Sequence, residues 1–72
     1  MSKTLIRSEA GVRLVEERDV HADASVFRLF THRTAMPRLM TDRDESLAAF
    51  EHEVAISLKD PVVIGLIQRG AI

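Results

Sequence analysis

Residues 42–58 read DRDESLAAFEHEVAISL and form the most strongly patterned segment of this 72-residue chain. Four apolar residues in it share one side of an α-helix, because they follow one another at intervals of three, four and four. They are Leu47, Phe50, Val54 and Leu58. Asp42 is a good N-cap, and Glu45 stands three residues later, as in a capping box. The segment therefore predicts an amphipathic helix over residues 43–58.

A tail with the sequence PVVIGLIQRGAI follows as residues 61–72. Asp60 and Pro61 are typical of the start of a helix, and Gly70 is typical of the end of one. These signals predict a short apolar helix over residues 61–69. The three β-branched residues near its start leave a strand as the alternative.

The tail offers more apolar surface than a domain of this size can easily cover. Seven of its twelve residues are aliphatic. Such a surface either completes the core or lies between two subunits. We expect a homodimer. The predicted interface comprises Ile56, Val63, Ile64 and Ile67.

The part of the chain before the helix predicts three or four antiparallel strands. Their expected bounds are residues 3–8, 12–20, 25–31 and 34–41. Gly11 permits a tight turn between the first two strands, and Pro37 places the last strand at an edge or a bulge because it lacks an N–H donor. The helix packs across one face of this sheet, which gives a single small α+β domain over residues 1–72. The expected core comprises Leu5, Val12, Leu14, Val26, Phe27, Leu29, Leu39, Leu47, Phe50, Val54 and Leu58.

Composition and motifs limit the chemistry that the chain can perform. With no cysteine, it has no disulfide, no thiol nucleophile and no thiolate zinc site. Its three glycines are too scattered for a phosphate-binding loop, and no nucleophile elbow occurs. Asp19, His21 and Asp23 alternate, but three ligands within five residues are weak support for a metal site. We therefore expect no enzymatic activity, no cofactor and no metal. The apolar runs are too short to span a membrane, which predicts a cytoplasmic protein.

Charge is unevenly distributed, although the net charge is only −1. Residues 28–40 carry arginines and no acid, whereas residues 42–53 carry five acids against one arginine. Either these segments neutralise each other within the fold, or one of them meets a partner. The predicted binding residues on the basic strands are Arg28, Phe30, Arg33 and Arg38. Those on the acidic helix are Asp44, Glu45, Glu51 and Glu53.

Two functional hypotheses follow from these patterns. The leading one is a non-enzymatic protein-binding module that acts as a regulator, inhibitor or assembly factor by occupying a surface on a larger protein. Compact intracellular proteins without cofactor motifs often have this role, including many encoded by phages and mobile elements. The second is a nucleic-acid-binding regulator. Alternation places Arg28 and Phe30 on one strand face, and an exposed Phe beside Arg is an arrangement that stacks single-stranded bases.

Overall fold

The computed structural model describes residues 2–72, and this part of the chain folds into a four-stranded antiparallel sheet followed by two helices. In chain order the elements are β1 (Ser2–Glu9), β2 (Val12–Asp19), β3 (Ala24–Phe30), β4 (Arg38–Met40), α1 (Arg43–Ser57) and α2 (Pro61–Gln68). The strands lie in the order β1-β2-β3-β4, so each one pairs with its neighbour along the chain. The α+β prediction is confirmed, and the tail forms a helix rather than a strand.

A two-residue turn joins β1 and β2. Ala10 and Gly11 both have positive φ, at 52° and 78°, which is the conformation that suits the right-handed twist of a hairpin. Glu9 and Val12 pair on either side of this turn. Gly11 also has close neighbours, since an added Cβ would lie 3.2 Å from Cδ1 of Ile72. The chain therefore ends beside its own first hairpin.

The fourth strand is much shorter than the predicted span of residues 34–41. Only Arg38–Met40 pair with β3. Pro37 has no N–H to donate, and strand pairing begins directly after it. The preceding loop is held by its own hydroxyls, with Thr31 and Thr34 joined at 2.8 Å between their Oγ1 atoms.

Helix α1 covers one face of the sheet and encloses the core. The buried core residues are Val12, Leu14, Phe27, Leu29, Phe50 and Val54. Four residues expected in the core lie outside it, and one of them, Val26, is half-buried on the sheet face away from α1. The other three, Leu5, Leu39 and Leu58, are exposed. The reason is positional: Leu5 and Leu39 point to the sheet face away from α1, and Leu58 follows the last helical residue.

The inward side of α1 is rotated by about 50° from the predicted stripe, which is about half of the angle between successive helical residues. Its buried residues are Ser46, Phe50, Val54 and Ser57, whereas Leu47 lies half-buried at the margin. As predicted, Asp42 is the N-cap, and its side chain accepts from the Glu45 N–H at 2.9 Å. The Ser46 hydroxyl is satisfied by donating to the Asp42 carbonyl at 2.6 Å.

Both predicted ends of α2 are present. Asp60 accepts from the Val62 N–H at 2.9 Å, and Pro61 is the first helical residue. At the other end Gly70 has φ of 72°, and its N–H donates to the Ile67 carbonyl while the Ala71 N–H donates to the Leu66 carbonyl. These two bonds form a Schellman motif, which ends the helix.

Candidate interaction surface

The face of the sheet opposite α1 carries no covering helix. Successive residues of a strand point to opposite faces. Because Leu14 and Leu29 are buried beneath α1, the neighbouring Val15 and Arg28 point the other way. We call this second face the open face. Its members are Lys3, Leu5, Ser8, Arg13, Val15, Glu17, Asp19, Ala24, Val26, Arg28, Phe30 and Leu39.

A β-bulge in β1 sets which of its residues reach the open face. Leu5 pairs with Val15, the register shifts at Ile6, and Arg7 then pairs with Leu14. A bulge leaves an extra residue on one strand, so the alternation of side chains changes phase there. As a result Ile6 packs against the core while Leu5 is left on the open face, 57% exposed.

One row of residues runs across all four strands of the open face. Register places Leu5 opposite Val15, Val15 opposite Arg28, and Arg28 opposite Leu39. Leu39 is 58% exposed, and Val15 between the two leucines is half-buried. An antiparallel sheet that simply faces water shows polar residues on that side. This row is instead apolar apart from Arg28.

An ion-pair cluster holds Arg28 in place within the row. The Arg28 Nε donates to the Glu17 Oε1 at 2.8 Å, and the Lys3 Nζ lies 3.7 Å from the same oxygen. The Glu17 carboxylate is 12% exposed. Its hydrogen bond to Arg28, together with the charges of Arg28 and Lys3, lowers the pKa of Glu17 below its ordinary value. The carboxylate is therefore ionised at neutral pH, and the cluster keeps one excess positive charge.

Beside the cluster, Arg13 lies over the ring of Phe30. Its guanidinium carbon is 4.8 Å from the ring centroid, within the range of a cation–π contact. Phe30 is half-buried, and Arg13 is exposed. The open face thus combines apolar residues with the cations Lys3, Arg13 and Arg28 and with the carboxylates of Glu17 and Asp19.

The four residues predicted on the basic strands do not form one surface. Arg28 and Phe30 lie on the open face, whereas Arg38 pairs with Leu29 and points to the α1 side. Arg33 also lies on that side, where it forms an ion pair with Glu53 of α1. The two arginines line an open pocket of about 200 Å³. It is lined by Leu29, Thr31, Arg33, Thr34, Met36, Arg38 and Glu53.

The acidic residues of α1 are partly engaged within the chain. Glu51 pairs with Arg7 at 3.2 Å, and Glu53 pairs with Arg33. Asp44 and Glu45 are exposed in the first turn. Of these two pairs, only Glu53–Arg33 joins the basic and acidic segments, because Arg7 lies in β1.

The residues predicted for a dimer interface differ in how far their side chains are exposed to solvent. Val63 is fully buried within the chain, so it has no surface to offer a second copy. Ile56 is half-buried. Ile64 and Ile67 remain exposed on α2.

No cluster of metal ligands is found among residues 2–72. Asp19 accepts hydrogen bonds from the backbone N–H groups of His21 and Ala22, and Asp23 pairs with Arg18. These carboxylates shape the turn between β2 and β3. In the same part of the chain, neither helix has the length and apolar character that a membrane crossing requires.

Sequence reasoning missed most of the open face because it assigned Leu5, Val26 and Leu39 to the core and gave no role to Lys3, Arg13, Val15 or Glu17. The available signal was topological: a single long helix can cover only one face of a sheet.

Comparisons of the chain with protein-family models, with curated proteins and with solved structures give no match. The geometry of the open face is therefore the basis for assigning a function.

Proposed function

We propose that this chain is a non-enzymatic protein-binding module that contacts its partner through the open face. The observation that carries the proposal is the row of Leu5, Val15, Arg28 and Leu39, in which both leucines are more than half exposed. A contiguous apolar surface with charged residues among and around it is characteristic of protein interaction sites. Binding there would let the module regulate, inhibit or help to assemble a larger protein.

The edges of the sheet are poorer contact sites than its open face. An exposed edge strand can pair with a strand of another chain, and proteins suppress this with charges, bulges and short strands. β1 has the bulge at Ile6 and the cations Lys3 and Arg7. β4 is only three residues long and follows Pro37. Both edges are blunted, which favours recognition by side chains on the open face.

The charges on the open face indicate the chemistry of the partner. The Lys3–Glu17–Arg28 cluster has one excess positive charge, and Arg13 adds another beside Phe30. A complementary partner surface would have apolar residues that cover Leu5 and Leu39. It would also have carboxylates that lie near Arg13 and Arg28. Because Arg28 is already fixed by Glu17, it would lose little side-chain freedom when such a carboxylate docks.

Affinity capture from the native host with matched variants tests the proposal. Leu39→Asp places a charge at the β4 end of the row, whereas Met36→Asp makes the same change at an exposed loop residue. Neither residue belongs to the buried core, so both variants should keep the circular-dichroism spectrum of the unaltered chain. We expect one protein to be captured in stoichiometric amounts by the unaltered chain and by Met36→Asp, and to be lost with Leu39→Asp.

The proposal is rejected if the captured proteins are the same for Leu39→Asp and the unaltered chain. It is also rejected if no protein is retained in stoichiometric amounts. Arg28→Glu provides a second probe of the same surface. This substitution reverses one charge and leaves the apolar side chains of the row unaltered, so it should weaken capture of an acidic partner through charge alone.

Nucleic-acid binding is a second candidate because Arg13 and Arg28 lie beside Phe30 on one face. Arg13 covers the Phe30 ring and Glu17 neutralises part of the positive charge, so stacking would require both to move. Titration with fluorescent single-stranded DNA and RNA distinguishes the two functions. Phosphate contacts release counterions, so such binding must weaken steeply as salt rises. Absence of binding at about 50 mM salt eliminates this candidate.

A further inference from the structure

The pocket beside β4 lies on the α1 side of the sheet, away from the open face. Its lining comes from the end of β3, the loop before β4, β4 itself and α1. Among the lining residues Leu29 is buried and Met36 is 78% exposed, so the pocket reaches from the core to solvent. Sites for whole small molecules commonly have volumes of about 300–1,000 Å³. A pocket of about 200 Å³ therefore suits a ligand of only a few atoms, or one chemical group at the end of a larger ligand.

The charges that line this pocket do not balance. Arg33 forms an ion pair with Glu53, whose side chain is only 18% exposed. Arg38 lines the same pocket, and it has no ion-pair partner among residues 2–72. The three charged residues of the lining therefore leave one excess positive charge, and the pocket is a site for an anion.

The loop before β4 is held by its own hydroxyl groups. The Thr34 hydroxyl donates to the Met36 carbonyl at 3.3 Å, and its oxygen lies 2.8 Å from Oγ1 of Thr31. Because the Thr34 proton is used by Met36, the Thr31 hydroxyl is the donor in the second bond. Both hydroxyl protons are thus engaged within the loop, and the remaining donors of the lining are the N–H groups of Arg33 and Arg38. A loop that is already fixed loses little freedom when a ligand binds.

We propose that this pocket binds a monocarboxylate that carries a short aliphatic chain. One negative charge matches the one excess positive charge, and the two oxygens of a carboxylate fit the planar fork of a guanidinium. Leu29 and Met36 supply the apolar part of the lining, against which the chain would lie. A phosphate dianion would leave the pocket with a net negative charge, and neither threonine hydroxyl is left to donate to its third oxygen.

Titration followed by two-dimensional NMR of the backbone amides tests the site with matched probes. Sodium butyrate is the monocarboxylate, butyramide has the same shape without the charge, and inorganic phosphate is the dianion. Butyrate should shift the amides of residues 31–38 saturably with a Kd of about 1–10 mM, a value expected for so few atoms. Butyramide should cause no saturable shift, and phosphate should bind less tightly than butyrate. The pH and the ionic strength are held constant because salt screens exposed charges.

Two arginine variants show whether the effect belongs to the pocket. Arg38→Gln and Arg69→Gln each remove one positive charge from an exposed side chain, but only Arg38 lines the pocket. Arg38→Gln should raise the Kd for butyrate about tenfold, as expected for the loss of a charge-assisted hydrogen bond. Arg69→Gln should leave this Kd unchanged. Neither residue belongs to the buried core, so both variants should keep the circular-dichroism spectrum of the unaltered chain.

The site does not exist if butyrate gives no saturable shift up to about 50 mM. Equal shifts with butyramide, tighter binding of phosphate, or equal Kd values for Arg38→Gln and Arg69→Gln also overturn the proposal.

A free organic acid and the carboxyl terminus of a peptide offer the same chemistry, and an acetylated tripeptide that ends in valine distinguishes them. Tighter binding of the tripeptide than of butyrate assigns the carboxylate to a peptide terminus, and equal or weaker binding assigns it to a free acid. The open face takes no part in these measurements, so their failure leaves the proposed function untouched.

Discussion

Two buried serines on α1 provide a matched pair for a stability test. Ser46 and Ser57 are both fully buried on the inward side of the helix. The Ser46 hydroxyl donates to the Asp42 carbonyl, whereas the Ser57 hydroxyl has no hydrogen-bond partner among residues 2–72. A buried hydroxyl without a partner keeps its desolvation cost, whereas a bonded one does not. Ser57→Ala should therefore stabilise the chain, and Ser46→Ala should not.

The magnitudes follow from these two environments. Burying an unpaired hydroxyl costs about 1–3 kcal/mol in proteins, and the small void left by its removal offsets part of the gain. We expect Ser57→Ala to raise the free energy of unfolding by about 1 kcal/mol, which is about 4–8 °C in Tm for a chain this short. Ser46→Ala loses a bond that contributes about 0.5–1.5 kcal/mol. The Asp42 carbonyl still accepts from the Ser46 N–H at 3.0 Å, so the net loss should stay within about 1 kcal/mol.

Urea unfolding followed by circular dichroism measures both variants under one condition. The protein concentration must be held constant, because any association adds to apparent stability. The result that refutes the reasoning is a Ser57→Ala variant that is less stable than the unaltered chain. Equal changes in Ser57→Ala and Ser46→Ala would refute it too, since the difference between the two hydroxyls is the basis of the prediction.

Two further predictions concern the strands. Contacts with Arg28 and Lys3 hold the pKa of Glu17 below its ordinary value of 4.5, so its contribution is fully present above that pH and is lost as the pH falls through the folded-state pKa. Urea midpoints should therefore fall more steeply on acidification in the unaltered chain than in Glu17→Gln, and parallel curves would contradict this. Ala10 has a positive φ that non-glycine residues adopt at a cost and that asparagine tolerates. Ala10→Asn should raise the urea-unfolding free energy by about 0.5–1 kcal/mol, and an unchanged or lower value would show that the turn is unstrained.

Local signals in the sequence predicted the order of the elements well. The cap residues Asp42 and Asp60 act as expected, and Gly70 ends α2. These features depend on a few neighbouring residues, so they can be identified without knowledge of the whole fold. The predicted length of β4 was wrong, because strand propensity does not show how far pairing with β3 continues after Pro37.

The contact surfaces were harder to predict than the elements. Arg28, Arg33 and Arg38 are close in sequence, but they lie on opposite faces of the sheet. The direction of each arginine depends on the register of its strand or on the loop that follows. The pairing of Glu53 with Arg33 and of Glu51 with Arg7 could not be read from the sequence either, because each pair joins distant segments.

The sequence by itself indicated three or four strand segments, one long capped helix, a short tail helix with a strand as its alternative, and a tight first turn, because periodicity, capping and turn chemistry are local properties. Only the tertiary structure decided which apolar residues are buried. The bulge at Ile6 turns that residue into the core and leaves Leu5 outside, and α1 covers one sheet face and leaves Leu39 on the other. The physical reason is that burial depends on which surfaces meet in space, and one helix can shield only one side of a sheet.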